Sequence, residues 1–141
     1  MAEPLLKFVE CATLPSAGAD PDAPVAAPHR MAYWAWGDPS QDRILVCVHG
    51  LSRQGRDFDT LARSQCEHYY VICPDVVGRG ESDWLADPQG YQVFAYVADM
   101  VALLQHLRTQ RQVEAPLDID WVGTSMGGLI GLGLSTLPAE V

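Results

Sequence analysis

The segment Gly123-Thr-Ser-Met-Gly127 constrains the fold of this 141-residue chain more than any other. It joins a short apolar run at 119–122 to residues 126–134, where every residue is apolar or glycine. A serine between two glycines at a strand-to-helix junction is typical of a sharp turn that projects the hydroxyl above a sheet. A Cβ at Gly123 or Gly127 would collide with neighbouring backbone, and we expect Gly128 to share this tight packing. The pattern therefore predicts Ser125 on a strained turn.

Strand-like and helix-like segments alternate along the rest of the chain. Residues 44–48 are apolar at every position, as in a central parallel strand that is covered on both faces. From 93 to 107 apolar residues recur at steps of three and four, which predicts a long helix packed on the sheet. Further strands are predicted at 5–13, 31–36, 69–73 and 119–122, and helices at 55–66 and 126–134. This alternation predicts an α/β fold with a mostly parallel open sheet and helices on both faces.

The segment 14–30 interrupts this pattern. It holds four prolines together with Ala, Asp and Gly, and it has few large apolar side chains that could pack into a core. We therefore expect a Pro/Ala-rich surface loop inside a single domain.

Charge and hydropathy exclude two classes of partner. The formal net charge of −9 argues against binding nucleic acid, since that affinity depends on clustered Lys and Arg. The first residues show no basic segment followed by an apolar run, and nowhere do eighteen apolar residues follow one another, so neither a signal peptide nor a membrane span is predicted. The default expectation is a cytoplasmic protein without a membrane partner.

The cysteines Cys11, Cys47, Cys66 and Cys73 show no CxxC or metal-ligand spacing. Cys47 and Cys73 lie in apolar runs, where a reduced thiol behaves as a small hydrophobic group. The favoured interpretation is four reduced packing cysteines and no metal site, with a disulfide or a reactive thiol as the alternative.

Two further motifs precede the serine. His49-Gly-Leu-Ser52 directly follows the most apolar predicted strand, and Asp75-Val-Val-Gly-Arg-Gly-Glu-Ser82 follows the next one. Together with residues 123–127 they resemble, in the same order, the oxyanion loop, the D-x-x-G-x-G-x-S turn and the nucleophile elbow of the α/β-hydrolase family. The resemblance extends from His49 to Gly128 and covers the N-terminal half of such a domain.

This resemblance implies a mechanism and a set of site residues. Ser125 is expected to attack a carbonyl carbon, while the main-chain N–H groups of Leu51 and Met126 hold the developing oxyanion. Gly50 belongs to the oxyanion loop, and Gly123 and Gly127 belong to the elbow. The neighbouring Ser52 N–H is an alternative to that of Leu51. No metal or organic cofactor is implied.

Four polar residues near these motifs allow more than one interpretation. His49 is interpreted as ordering its loop rather than acting as a base, because the family's base follows the nucleophile in the chain. Asp75 is expected to cap turn N–H groups, with Arg79 either solvated or paired to it. Arg53 is either a contact for a substrate carboxylate or a solvated loop arginine.

A serine nucleophile needs an acid and a histidine, which in this family follow the serine. The segment after Ser125 contains one acid, Glu140, and no histidine, and all four histidines precede the elbow. We therefore expect the chain to be a partial α/β-hydrolase domain that is truncated after the elbow helix and inactive as it stands.

The sequence supports two functional hypotheses. The first is that the complete protein is a serine hydrolase acting on a small-molecule ester, a thioester or a C–C bond beside a carbonyl, through an acyl-enzyme that an acyltransferase would also use. The alternative is a non-catalytic binding or structural protein that retains the fold. The sequence makes no prediction about the oligomeric state.

Overall fold

The computed structural model describes residues 2–15, 18–111 and 116–138. Its strands are β1 (Leu5–Cys11), β2 (His29–Trp36), β3 (Arg43–Val48), β4 (Tyr70–Pro74) and β5 (Asp118–Gly123). Its α-helices are α1 (Asp59–Gln65), α2 (Val93–Arg111) and α3 (Met126–Ser135). Short 3₁₀ turns lie at Gly55–Phe58 and Pro88–Gly90.

The described strands form one sheet in the order β1-β2-β4-β3-β5. β3 pairs in parallel with β4 on one side and with β5 on the other, as expected for a strand that is apolar at every position. β2 is antiparallel to β4, and β1 is antiparallel to β2, so the sheet is mixed. The parallel pairs place the carboxyl ends of β3, β4 and β5 at one edge, and the loops that follow these strands meet there.

Alternate side chains of the central strands pack on opposite faces of the sheet. Ile44, Val46 and Val48 point into a core with Met100 and Leu103 of α2 and with residues of α3. The intervening side chains of β3 pack with residues of the 3₁₀ turn, α1 and the neighbouring strands, namely Leu45 and Cys47 against Phe58, Ala62, Val71 and Cys73. Helices therefore cover both faces, which confirms the α/β fold class.

The surface loop predicted at 14–30 is two residues too long at its C-terminal end. β2 begins at His29, and the His29 side chain is buried. Its Nε2 lies 2.8 Å from Asp99 Oδ2 of α2, and its Nδ1 lies 2.7 Å from Thr13 Oγ1. These long-range hydrogen bonds draw the end of the segment 14–30 into the sheet, and the local composition does not indicate them.

Helix α3 is buried on one side only. Met126, Gly127 and Ile130 are buried, whereas Leu129 and Leu132 are 56% and 66% exposed. A helix that is apolar or glycine at every position is usually buried all round, but no described element packs on the outward face of α3. Among the described residues no helix combines the length and apolarity that crossing a bilayer requires.

Candidate active site

Ser125 stands between β5, which ends at Gly123, and α3, which begins at Met126. Its φ of 51° and ψ of −112° lie outside the regions that L residues favour, and such a conformation costs roughly 1–3 kcal/mol. No other non-glycine residue among those described has a positive φ. A serine at a helix N-cap usually accepts a hydrogen bond from the first turn. The Ser125 hydroxyl makes no such bond, and the residue is exposed.

Two of the three elbow glycines are required by the backbone around them. A Cβ on Gly123 would come within 2.4 Å of the Gly127 carbonyl carbon, and a Cβ on Gly127 within 2.0 Å of the Val48 main-chain oxygen. A Cβ on Gly128 would lie 3.6 Å from the Gly123 oxygen, which is ordinary contact. The prediction that Gly128 shares the tight packing is wrong, since the side-chain direction there passes the Gly123 carbonyl instead of meeting it.

The loop after β3 lies directly against the serine. A Cβ on Gly50 would be 3.7 Å from the Ser125 Cβ and 3.6 Å from the Thr124 main-chain oxygen. Thr124 in turn donates its main-chain N–H to Val48 at 2.9 Å. The elbow and the loop therefore form two walls of one crevice at the carboxyl edge of the sheet.

Three main-chain N–H groups beside this crevice are uncommitted. Within the described part of the chain, no hydrogen bond is donated by the N–H of Leu51, Ser52 or Met126. These groups are available to an oxyanion of a bound substrate, and the geometry leaves Leu51 and Ser52 open as alternatives.

His49 is buried and holds the loop after β3 in place. Its Nε2 accepts the main-chain N–H of Val76 at 2.9 Å, so this nitrogen carries no proton, and Nδ1 donates to the Gly50 oxygen at 2.7 Å. Burial lowers the pKa of His49, which keeps the ring neutral. The C=O of Gly50 and the N–H of Leu51 belong to the same trans peptide and point in opposite directions. The His49 bond to Gly50 therefore also fixes the direction of the Leu51 N–H.

Asp75 caps main-chain N–H groups, as expected. The buried carboxylate accepts from Gly55 at 2.7 Å and from Glu81 at 2.9 Å. Arg79 is not paired to Asp75, so that alternative is wrong, and its side chain is only partly exposed to solvent. Its Nε donates to the Leu51 oxygen at 2.9 Å and its Nη1 to the Val77 oxygen at 2.9 Å. The two Asp75 oxygens are already engaged by main-chain N–H groups, and the guanidinium turns to main-chain carbonyls instead.

Arg53 lies two residues beyond Leu51 and is exposed. Its Nε is 2.6 Å from Asp57 Oδ2, and this hydrogen bond raises the pKa of the guanidinium. The side chain lines a cavity that also borders Arg79. A role for Arg53 in substrate binding stays a prediction.

The buried His29–Asp99 pair is not positioned to activate Ser125. β2, which carries His29, is separated from β5 by β4 and β3. Three strand spacings place the pair roughly 14 Å from the strand that leads into the serine. The pair contributes to the core beneath the loop between β1 and β2.

Cys11, His29 and Asp99 bring potential metal-ligand atoms within 4.8 Å of one another. Burial and the nearby Asp99 carboxylate raise the pKa of Cys11 to about 12, whereas a ligating cysteine is a thiolate. Both ring nitrogens of His29 are already hydrogen-bonded. The cluster is therefore better suited to hydrogen-bonded packing than to metal binding. All four cysteines are free thiols, as the sequence favours.

The elbow, the loop against it and the order of the strands agree with a family comparison. A model of the Alpha/beta hydrolase family matches residues 45–140, more than half of the chain. The chain belongs to the alpha/beta hydrolase family. The match confirms the resemblance inferred from the three sequence motifs, and it includes both walls of the crevice.

Individual hydrolases align with most of this chain. The 3-hydroxybutyrate-oligomer hydrolase of Cupriavidus necator is 52% identical over 137 residues, which cover 97% of this chain and 41% of that protein. A putative hydrolase from Rickettsia typhi superposes with a TM-score of 0.78 at 28% identity, covering 94% of this chain and 43% of that one. An alpha/beta hydrolase from Novosphingobium aromaticivorans covers all of this chain and 42% of its own, with a TM-score of 0.68 at 32% identity. The chain thus spans about two fifths of the length of these relatives.

Proposed function

We propose that the whole protein is a serine hydrolase in which Ser125 attacks the carbonyl carbon of a small-molecule ester. The observation that carries this proposal is the strained Ser125 backbone, which leaves an exposed hydroxyl beside Gly50. The cost of such a conformation is consistent with a functional role, because strained residues cluster at active sites.

In this mechanism the crevice stabilises charge that develops in the transition state. As the Ser125 oxygen adds to the carbonyl, negative charge develops on the carbonyl oxygen. The N–H groups of Leu51 and Met126 are proposed to donate to it, and the loss of one such donor typically costs about 3–4 kcal/mol. The base that took the Ser125 proton returns it to the leaving oxygen, and the alcohol departs. Water then attacks the acyl-enzyme, which releases the acid and restores the Ser125 hydroxyl.

The base and the acid are proposed to come from outside residues 1–141. His49 flanks the elbow, but both of its ring nitrogens are engaged and its pKa is lowered by burial. Because a neutral ring that already accepts at Nε2 cannot take the Ser125 proton, another histidine is required. We expect the 141-residue chain alone to be inactive.

The substrate class follows from the relative that aligns with 97% of this chain. Its name describes hydrolysis of 3-hydroxybutyrate oligomers, and we propose that this protein also cleaves oligomeric esters of short hydroxy acids. A thioester, a C–C bond beside a carbonyl, or acyl transfer would use the same nucleophile and acyl-enzyme.

Labelling of the whole protein with a fluorophosphonate tests the nucleophile. The reagent should modify Ser125, as identified by peptide mass spectrometry, and Ser125→Ala should abolish both labelling and ester hydrolysis. Ser64→Ala is the matched control, because it removes an exposed hydroxyl of α1 that belongs neither to the elbow nor to the loop after β3. Failure to label under conditions that modify a known serine hydrolase would contradict the proposal.

The alternative is a non-catalytic protein that retains the fold. It is favoured by one observation, that the histidine beside the elbow serves the loop rather than the serine. A folded whole protein that neither reacts with the fluorophosphonate nor hydrolyses short esters would support this alternative.

A further inference from the structure

A polar cavity of about 350 Å³ lies beside the oxyanion loop. Its lining residues come from the segment after Leu51 and from the glycine-rich turn after β4, and they are Ser52, Arg53, Gln54, Asp57, Arg79 and Gly80. A Cβ on Gly50 would lie 3.7 Å from the Ser125 Cβ. Gly50 precedes Ser52 by two residues, so the Cα atoms of Gly50 and Ser52 are at most about 7 Å apart. The cavity therefore begins in the same loop, two residues beyond the glycine that lies beside Ser125.

Both arginines that line the cavity have hydrogen-bonding capacity to spare. Arg53 uses Nε and Nη2 to bind Asp57, at 2.6 Å and 3.3 Å. Arg79 uses Nε and Nη1 to bind the main-chain oxygens of Leu51 and Val77. Among the described residues, nothing accepts a hydrogen bond from Nη1 of Arg53 or from Nη2 of Arg79. One terminal nitrogen of each guanidinium is thus available to a ligand.

The lining carries more positive than negative charge. Its two guanidinium groups accompany one carboxylate, that of Asp57, in a chain whose formal net charge is −9. Asp75 lies beneath Gly80 and does not line the cavity, and its oxygens already accept main-chain N–H groups. Arginine donors arranged around a small polar cavity suit a carboxylate, which accepts from two donors at once.

We propose that this cavity binds a free carboxylate on the substrate, close to the ester that Ser125 attacks. The inference rests on the proposed function and narrows its substrate class to esters that end in an acid. In a 3-hydroxy acid, two carbons separate the esterified oxygen from the carboxyl carbon, a span of roughly 4 Å at ordinary bond lengths. The terminal acid of an oligomer can therefore reach the cavity while the adjoining ester lies at the crevice.

The test compares two substrates of the whole protein, the linear dimer of 3-hydroxybutyrate and the same dimer with its terminal carboxylate converted to a primary amide. Arg53→Gln should raise KM for the acid roughly fivefold to tenfold, with kcat within about twofold, since one charge-assisted contact in a partly exposed site is lost. KM for the amide should not change. Arg53→Lys, which keeps the charge, should restore part of the affinity for the acid.

Arg43→Gln is the matched control, because Arg43 is also exposed and ion-paired, to Asp120, but lies at the other end of β3. It should leave both substrates unaffected. An Arg53→Gln variant that shifts acid and amide equally, or shifts neither, overturns the carboxylate site while the proposed function stands. A wild-type protein that hydrolyses neither dimer and resists the fluorophosphonate overturns the proposed function itself.

Discussion

Arg79 donates a hydrogen bond from Nε to the main-chain oxygen of Leu51 at 2.9 Å. The peptide before this one is held by His49, through its bond to the Gly50 oxygen. Two side chains from different segments thus fix consecutive peptides in the loop that carries the proposed oxyanion donors. The alignment of these donors depends on Arg79 as well as on the backbone.

Arg79→Gln should therefore lower kcat on the acid and the amide dimer alike. Glutamine is shorter and neutral, so it releases the Leu51 carbonyl. The main-chain N–H donors of the loop are then misaligned, and they stabilise the transition state less. We expect kcat to fall about tenfold on both the acid and the amide dimer. KM should rise for the acid alone, because Arg79 also lines the cavity proposed to bind the carboxylate. Arg30→Gln, which breaks an exposed pair with Asp83, is the control. An unchanged kcat in Arg79→Gln would show that the loop keeps its shape without this bond.

The two glycines that follow Met126 should respond in opposite ways to alanine. Gly127→Ala places a methyl group against the Val48 oxygen, where the backbone has no room to move. It should cost at least about 2–3 kcal/mol in the free energy of unfolding. Gly128→Ala meets only ordinary contacts and should be neutral or stabilise α3 by up to about 1 kcal/mol. Urea unfolding of the whole protein measures the free energy of unfolding of both variants. Equal effects would contradict the close contact of Gly127 with Val48.

Ser125→Gly should separate activity from stability. Glycine adopts a φ of 51° without the strain that serine suffers, so this variant should be about 1 kcal/mol more stable than Ser125→Ala. Both variants should be inactive and unlabelled by the fluorophosphonate. Thermal unfolding compares the two, and a glycine variant that is no more stable than the alanine variant would argue against strain at the elbow.

His49 should make the protein less stable as the pH falls. Burial lowers its pKa in the folded state, so below about pH 6.5 the unfolded chain binds a proton that the folded chain does not. The stability present above that pH is then lost by up to about 1.4 kcal/mol per pH unit, until the folded ring also protonates. His49→Gln should flatten this dependence in urea titrations at pH 7.5 and 5.5.

His106, whose pKa is also lowered by burial, adds a second dependence of the same sign. The double variant with His106→Gln should therefore be flatter than either single one. A His49→Gln protein with the slope of the wild type would contradict the neutral, buried ring.

The 141-residue chain alone should self-associate through the outward face of α3 and the free edge of β5. Leu132 is 66% exposed and Leu129 is 56% exposed, which forms an apolar surface beside an edge strand of the described sheet. Leu132→Lys should reduce the apparent mass in light scattering. Val25→Lys is the control, because Val25 is 94% exposed but lies in the loop between β1 and β2. Monodisperse, monomeric wild-type chain would contradict this prediction.

The sequence predicts helices and strands well where apolar side chains recur along one short segment. The helix expected at 126–134 is observed at Met126–Ser135, and the strand expected at 44–48 is observed at Arg43–Val48. For β3 the continuous apolar run follows from contacts on both faces of the strand. The directions of β1 and β2 were not predictable in this way, because pairing between distant strands leaves no distinct local pattern.

In the candidate site, too, the features set by neighbouring residues were predictable and those set by distant residues were not. The Ser125 turn is recognisable because its flanking glycines are neighbours in the sequence. The partner of Arg79 lies 28 residues away, and local charge patterning gave no indication that an arginine would bind a main-chain oxygen. A weak signal existed in the arginine itself, since it lies between two glycines in a turn beside the predicted crevice.

The contact between Gly127 and Val48 joins the first turn of α3 to the end of β3 with no space for a methyl group. This contact consequently couples the position of Ser125 to that of the loop that faces it. If α3 moves, the end of β3 moves with it, and the distance between Ser125 and the loop is preserved. Widening the site for a bulkier acyl group would therefore require changes at the Gly127–Val48 contact. Substitutions on the outward face of α3 would leave the distance between Ser125 and the loop unchanged.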